Sequence, residues 1–209
     1  GNAAFTTANG ILVYRARQHR PLAELAWVDR QGQALDTVGA PPGTFRTMAL
    51  SPDGRTLAID RRDAQGLPSV WLVDVERGTS SRLTAAYWAG DPLWSPDGRT
   101  LAYSIAVDSP PNLVLRDTQG GPERRLTRHA SEQHYATSFT PDGRQLVYQA
   151  VSATTGLDLY TVGTTGDDPP QRLLQTSANE HSARVSSNGR WIAYVSDDTG
   201  QAEVYLSRF

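Results

Sequence analysis

The chain has 209 residues, 38% of them apolar, which gives room for one sizeable all-β core or two small ones. Its formal charge is −2 with no block of like charges, so general electrostatic attraction to nucleic acid or to an anionic membrane has no basis. All 20 cations are arginine and there is no cysteine, which excludes lysine and P-loop chemistry, thiolate catalysis, disulfides and cysteine-based zinc sites.

The chain enters on Ala3 to Thr7, turns at Ala8-Asn9-Gly10, and continues through Leu12-Val13-Tyr14 and Leu25-Ala26-Trp27-Val28-Asp29. The next unit is the clearest. Thr47 to Leu50 reads as a short strand, Ser51-Pro52-Asp53-Gly54-Arg55 as a turn, Thr56 to Ile59 as a second strand, Val70 to Asp74 as a third and Ser81-Arg82-Leu83 as a fourth. Proline presets the first corner, aspartate bonds its own backbone, and glycine takes the positive φ that closes the hairpin. The turn returns as Ser95-Pro96-Asp97-Gly98-Arg99, Thr140-Pro141-Asp142-Gly143-Arg144 and Ser187-Asn188-Gly189-Arg190. The residue before the glycine stands at 9, 53, 97, 142 and 188, in steps of 44, 44, 45 and 46. Second strands recur at Leu101-Ala102-Tyr103, Leu146-Val147-Tyr148 and Ile192-Ala193-Tyr194, third strands at 112–117, 157–162 and 203–208, and Arg-Leu-Thr endings at 82–84 and 125–127.

A period of about 44 with four short strands per period predicts an all-β fold, a β-propeller of four-stranded antiparallel blades. One domain over 1–209 is expected, with repeat units of roughly 1–44, 45–88, 89–133, 134–179 and 180–209. Two arrangements stay open: a ring of about five blades, or part of a larger propeller whose open edges would invite a homodimer. No apolar run reaches the roughly 18 residues of a membrane span and no leader pattern opens the chain, so a soluble segment without membrane contact is expected.

In an antiparallel meander the turns alternate ends, so the Pro-Asp-Gly turns and the third-to-fourth turns share one end and the long, unequal loops share the other. Variable loops on a rigid frame are the usual place for binding. All four histidines, His19, His129, His134 and His181, fall on that side. The residues just before each first strand are expected at the channel mouth: Phe45, Arg46, Asp91, His134, Tyr135, Glu180 and His181. Trp88, read as a loop residue, joins them, whereas Trp27, Trp71 and Trp94 sit inside strands and are read as core. A set of His129, His134 and His181 with Asp91 or Glu180 matches no ligand signature, so no metal and no cofactor is expected. Nucleophile-elbow, His-Glu-x-x-His and phosphate-loop motifs are absent, and a non-enzymatic module binding a protein, a peptide or a small ligand is the resulting expectation.

The repeat Leu50 to Ala58, its partner Trp94 to Tyr103 and the Arg-Leu-Thr endings resemble the TolB-type, WD-repeat-like propeller repeat of bacteria. Leu25 to Gly32, and Ser187 to Tyr194 leading to Glu203-Val204-Tyr205, are similar to the C-terminal propeller region of some bacterial serine/threonine protein kinases. That resemblance implies a sensor or scaffold region of a bacterial signalling protein, in a compartment it leaves open, with no kinase motif of its own. The same repeats occur in the gating propellers of prolyl-oligopeptidase-like hydrolases and in TolB, where by resemblance the propeller binds lipoprotein and peptide partners.

Overall fold

The computed structural model describes residues 5–8, 11–15, 22–62, 66–85, 87–107, 109–174 and 176–209, with the backbone alone for 5–8 and 11–15. The expected Asn9-Gly10 corner and His19 lie outside the described residues.

Nineteen strands are found among the described residues, in five successive sheets whose order follows the chain. The first holds β1 (Phe5–Ala8), β2 (Ile11–Arg15), β3 (Leu25–Val28) and β4 (Ala34–Thr37). The second holds β5 (Thr44–Leu50), β6 (Thr56–Arg62), β7 (Pro68–Asp74) and β8 (Thr79–Arg82). The third holds β9 (Trp88–Trp94), β10 (Thr100–Ala106), β11 (Asn112–Asp117) and β12 (Arg124–Arg125). The fourth holds β13 (Gln133–Phe139), β14 (Gln145–Ser152), β15 (Gly156–Gly163) and β16 (Gln171–Leu174), and the fifth β17 (Glu180–Val185), β18 (Trp191–Ser196) and β19 (Glu203–Arg208). Neighbouring strands pair antiparallel in each sheet. The fold is an all-β propeller architecture of about five four-stranded blades, the last with three strands.

The chain forms two compact units, Gly1–Trp94 and Ser95–Phe209, with the boundary between β9 and β10. In the first, Leu25, Val38, Phe45, Met48, Leu50, Leu57, Ile59 and Val73 make one buried cluster. In the second, Leu101 to Ile105 and Leu146 to Tyr148 are buried without interruption. Unbroken burial along a strand, rather than alternation, means that both faces of its sheet are covered, which is why the second strands read as continuous apolar runs. β19 differs: Val204 and Leu206 are 77% and 68% exposed on one face of it.

The recurring turn is built the same way four times. Gly54, Gly98, Gly143 and Gly189 have φ of 76°, 69°, 70° and 69°, which only glycine adopts at no steric cost. The N–H of Gly54 reaches the Ser51 carbonyl at 2.9 Å. The Ser51 hydroxyl donates to Asp53 Oδ1 at 2.6 Å and accepts the N–H of Thr56, while the Arg55 N–H donates to that same Oδ1. Ser95 and Asp97, Thr140 and Asp142, and Ser186 and Asn188 repeat this pattern. Asn188 works in place of aspartate because the turn uses one side-chain oxygen as an acceptor. The donated hydroxyl, aided by the backbone N–H, holds the carboxyls of Asp53, Asp97 and Asp142 below the usual carboxylate range.

The carbonyl after each turn glycine fixes the neighbouring connection. Arg55, Arg99, Arg144 and Arg190 accept from the N–H groups of Val75, Thr118, Thr164 and Phe209, which follow the third strands, so both connections lie at one end of each of these sheets. The Arg-Leu-Thr endings have their own use: Thr84 Oγ1 accepts the N–H of Val70 at 3.1 Å, and Thr127 Oγ1 that of Leu113 at 2.9 Å. A buried N–H at the edge of the ladder is thereby satisfied.

Candidate functional site

The first strands are longer than the apolar pattern implies. β5 starts at Thr44, β9 at Trp88, β13 at Gln133 and β17 at Glu180, so residues read as loops before the strands lie inside them. Pairing with the second strand carries them there through an irregularity, with the register shifting between Phe45 and Met48, between Ala136 and Ser138, and between His181 and Arg184. Asp91 and Ser182 share the left-handed φ of 56°. Counted back from the serine or threonine that opens each turn, these shifts fall three to five residues before it. A bulge in this short window bends the strand and re-aims the side chains before it.

The sixth residue before that serine or threonine is Phe45, Ala89, His134 and Glu180, with exposures of 1%, 0%, 3% and 2%. Three of the residues expected at the mouth are therefore buried: Phe45 is part of the apolar core, and His134 and Glu180 are buried polar groups. The fifth residue before the turn is Arg46, Gly90, Tyr135 and His181, the fourth Thr47, Asp91, Ala136 and Ser182, and here the side chains of Arg46, Tyr135 and His181 are partly exposed. Trp88 is the first residue of β9, half-buried, and not a loop residue.

In the first unit, Arg46 is the hub. Its Nε lies 3.3 Å from Asp60 Oδ2, its terminal nitrogen is hydrogen-bonded to Asp91, and its guanidinium stands 5.5 Å from the centre of the Trp88 ring. The Arg46 side chain is 43% exposed, whereas that of Asp60 is fully buried. Asp60 Oδ1 is buried without a hydrogen-bond partner among the described residues. Burial pushes the Asp60 carboxyl up to about 6 against the pull of Arg46, and burial raises Asp91 in the same direction. Gly90 makes the arrangement possible, because a Cβ there would sit 2.5 Å from Asp60 Oδ2. Arg46 faces two carboxylates, with Arg62 adding a weaker pull on Asp60, and Asp91 beside the Trp88 ring offers a positively charged group of a ligand a place beside an indole face.

Asp60 stands just past the apolar run Thr56 to Ile59 that reads as the second strand, and the structure carries that strand on to Arg62. The missed signal is the repeat position nine residues after the turn opener, which is polar in an apolar run at Asp60, Ser104 and Gln149. In the second unit Ser104 Oγ donates to the His134 carbonyl at 2.9 Å, and Gln149 Oε1 accepts the Ser182 N–H at 3.2 Å. These side chains tie each sheet to the start of the following first strand.

The second unit places His134 with His129 and Glu132. Glu132 Oε2 stands 3.6 Å from Nε2 of both histidines, and the two rings are 5.5 Å apart. Tyr148 packs on His134 at 4.8 Å, and Tyr160 stacks on Tyr148 at 5.5 Å. Burial lowers the pKa of His134 and favours its neutral ring, against the opposing pull of Glu132. Tyr135 donates to Gln133 Oε1 at 2.6 Å, the His181 ring meets the Ser182 hydroxyl at 2.8 Å, and Glu180 accepts the Thr176 hydroxyl. The set of His129, His134 and His181 with Asp91 or Glu180 matches no ligand signature in the sequence; the structure groups His129 and His134 with Glu132, in a His-x-x-Glu-x-His spacing that runs from the connecting loop into β13.

Residues 91–209 match the profile of the TolB beta propeller domain. The uncharacterized protein Atu1656 of Agrobacterium fabrum is 28% identical over 152 residues, covering 71% of this chain and 50% of that protein. The uncharacterized peptidase YuxL of Bacillus subtilis is 26% identical over 137 residues, 48% of this chain and 21% of that protein. The chain therefore spans about half the length of the first relative and a fifth of the second. Among solved structures, a putative TolB from Agrobacterium tumefaciens superposes with a TM-score of 0.83 at 21% identity, covering 99% of this chain and 76% of that one, a likeness of fold alone.

Proposed function

Because the chain belongs to the TolB β-propeller family, we propose that it is a non-catalytic module that binds a protein or peptide partner through the bulged starts of its first strands. One observation carries this reading. At the turn end the repeats keep the same residues in the same hydrogen bonds, while at the opposite end equivalent positions on equivalent strands hold Arg46, Gly90, Tyr135 and His181. A purely structural constraint acts alike on equivalent positions, so chemistry that diverges on a repeated frame points to a ligand. The Arg46, Asp91 and Trp88 cluster suits an extended segment with a cationic side chain or amino terminus, the cation meeting Asp91 and the chain lying along the indole.

The finer placement as the sensor or scaffold region of a serine/threonine kinase rests on the Leu25 to Gly32 and Ser187 to Tyr205 resemblance. The similarity to YuxL favours a second reading, an accessory propeller of a peptidase. Adjoining coding sequence decides between them, through a kinase catalytic loop or a nucleophile elbow. The binding reading is tested with peptides selected from a random displayed library on the full chain and titrated by calorimetry. Asp91→Asn is expected to weaken a selected basic peptide about tenfold, roughly 1.4 kcal/mol, and Asp142→Asn at the turn end to leave it unchanged. Selection of no peptide, or equal affinity in both variants, overturns it.

A further inference from the structure

We propose that His129, Glu132 and His134 form a binding site for a divalent first-row transition-metal ion such as zinc. The inference stands apart from the peptide reading. Its residues all belong to the second unit, and its ligand is an inorganic ion.

Three observations converge. One ligand atom from each residue lies within 4.8 Å of the others, and Glu132 Oε2 is equidistant, at 3.6 Å, from the two Nε2 atoms. An ion about 2.0 to 2.2 Å from each of two imidazole nitrogens and one carboxylate oxygen needs its ligands a little over 3 Å apart, so the two Glu132 distances need a contraction of a few tenths of an ångström and the wider separation, within 4.8 Å, is closed by a turn of the His129 ring. Secondly, His134 is 3% exposed and both its ring nitrogens are buried without a hydrogen-bond partner among the described residues. A buried imidazole left unsatisfied is costly, and one nitrogen of this ring faces the other two ligands, so a metal at that point accounts for it. Thirdly, the ring is held in place from behind by Tyr148 and Tyr160 and through its own backbone, whose N–H reaches the Pro111 carbonyl at 2.8 Å and whose carbonyl accepts from Ser104. A ligand fixed by packing loses little freedom on coordination.

The donor set of two nitrogens and one oxygen suits zinc, cobalt or nickel rather than calcium, and three protein ligands leave a coordination position for water or a partner's side chain. His129 is the ligand that moves. The N–H of Glu132 donates to its Nδ1 at 3.0 Å, which keeps the proton of a neutral ring on Nε2. Coordination through Nε2 requires that bond to be given up and the proton carried on Nδ1; the His129 side chain, 44% exposed, has room to turn.

The test is calorimetric titration of Zn²⁺ into the chelator-treated full chain. One ion per chain is expected, with Glu132→Gln and His134→Ala each weakening binding at least tenfold and His129→Ala weakening it less. Glu132 is partly exposed, so E132Q keeps the test decisive if His134→Ala fails to fold. Zn²⁺ is also expected to raise the melting temperature of the parent chain and not that of E132Q. Absence of zinc binding, affinity unchanged in E132Q, or affinity lost only in His181→Ala would overturn the assignment.

Discussion

Replacing Arg46 by methionine is expected to destabilise the chain by about 2 kcal/mol at pH 8, below the range for a fully buried ion pair because the Arg46 side chain is 43% exposed. Methionine keeps the apolar stem beside Trp88 and removes the charge that Asp60, fully buried, depends on. The effect should depend on pH in a fixed direction. The Asp60 carboxyl sits at about 6 in the folded chain, above its ordinary value of 3.8, so the folded state holds this proton more tightly than the unfolded one. Its contribution to stability is full below about pH 4 and is lost as pH rises through 6. Without Arg46 the carboxyl rises further. At pH 5 it is then protonated with or without the arginine, and the loss should shrink to under about 1 kcal/mol, whereas at pH 8 the variant must either bury a bare carboxylate or take up a proton. Urea melts of R46M at the two pH values measure this. Adding Asp60→Asn to R46M should remove most of the pH dependence, and a loss equal at both pH values would show that the ion pair does not govern the cluster.

Phe45→Ala is the second large effect, a loss of about 4 kcal/mol for an aromatic ring removed from a packed core. The residue is 1% exposed among Leu25, Val38, Met48, Leu50, Leu57, Ile59 and Val73, and Phe45→Leu should recover more than half of the loss. This separates the two places Phe45 can occupy. A rim residue at a channel mouth would cost less than about 1 kcal/mol when truncated and would affect ligand binding instead. The midpoint of a denaturant melt distinguishes them without any ligand.

These two residues also mark where the sequence speaks and where it stops. The Asp-Gly turns set the frame because a glycine at positive φ and an acceptor oxygen are local demands, and each copy carries its own evidence. Second strands such as Leu101-Ala102-Tyr103 are legible because burial on both faces leaves an uninterrupted apolar run. The starts of the first strands are not legible in this way. A bulge at Arg46 and Thr47, at Thr137 and at Ser182 breaks the alternation by which a strand is recognised, so Phe45 and His134 read as loop while they point inward. Asp60 was hidden for a different reason: a carboxylate in a strand core is tolerated because Arg46, 14 residues back, reaches it, and that pairing has no local signature. Glu132 carries no local signal, because a carboxylate in a connection is usually solvated, and only the fold brings two imidazoles to 3.6 Å from it.

The central claim is that the sheet ends carrying the bulges, and not the ends carrying the Pro-Asp-Gly turns, receive the partner. A benzophenone photocrosslinker placed at Thr44, at the start of β5, or at Pro52, in the turn at its other end, in separate chains each mixed with a selected basic peptide, tests it most directly. Covalent capture is expected from position 44 and none above background from position 52; capture from 52 alone, or equally from both, would contradict it.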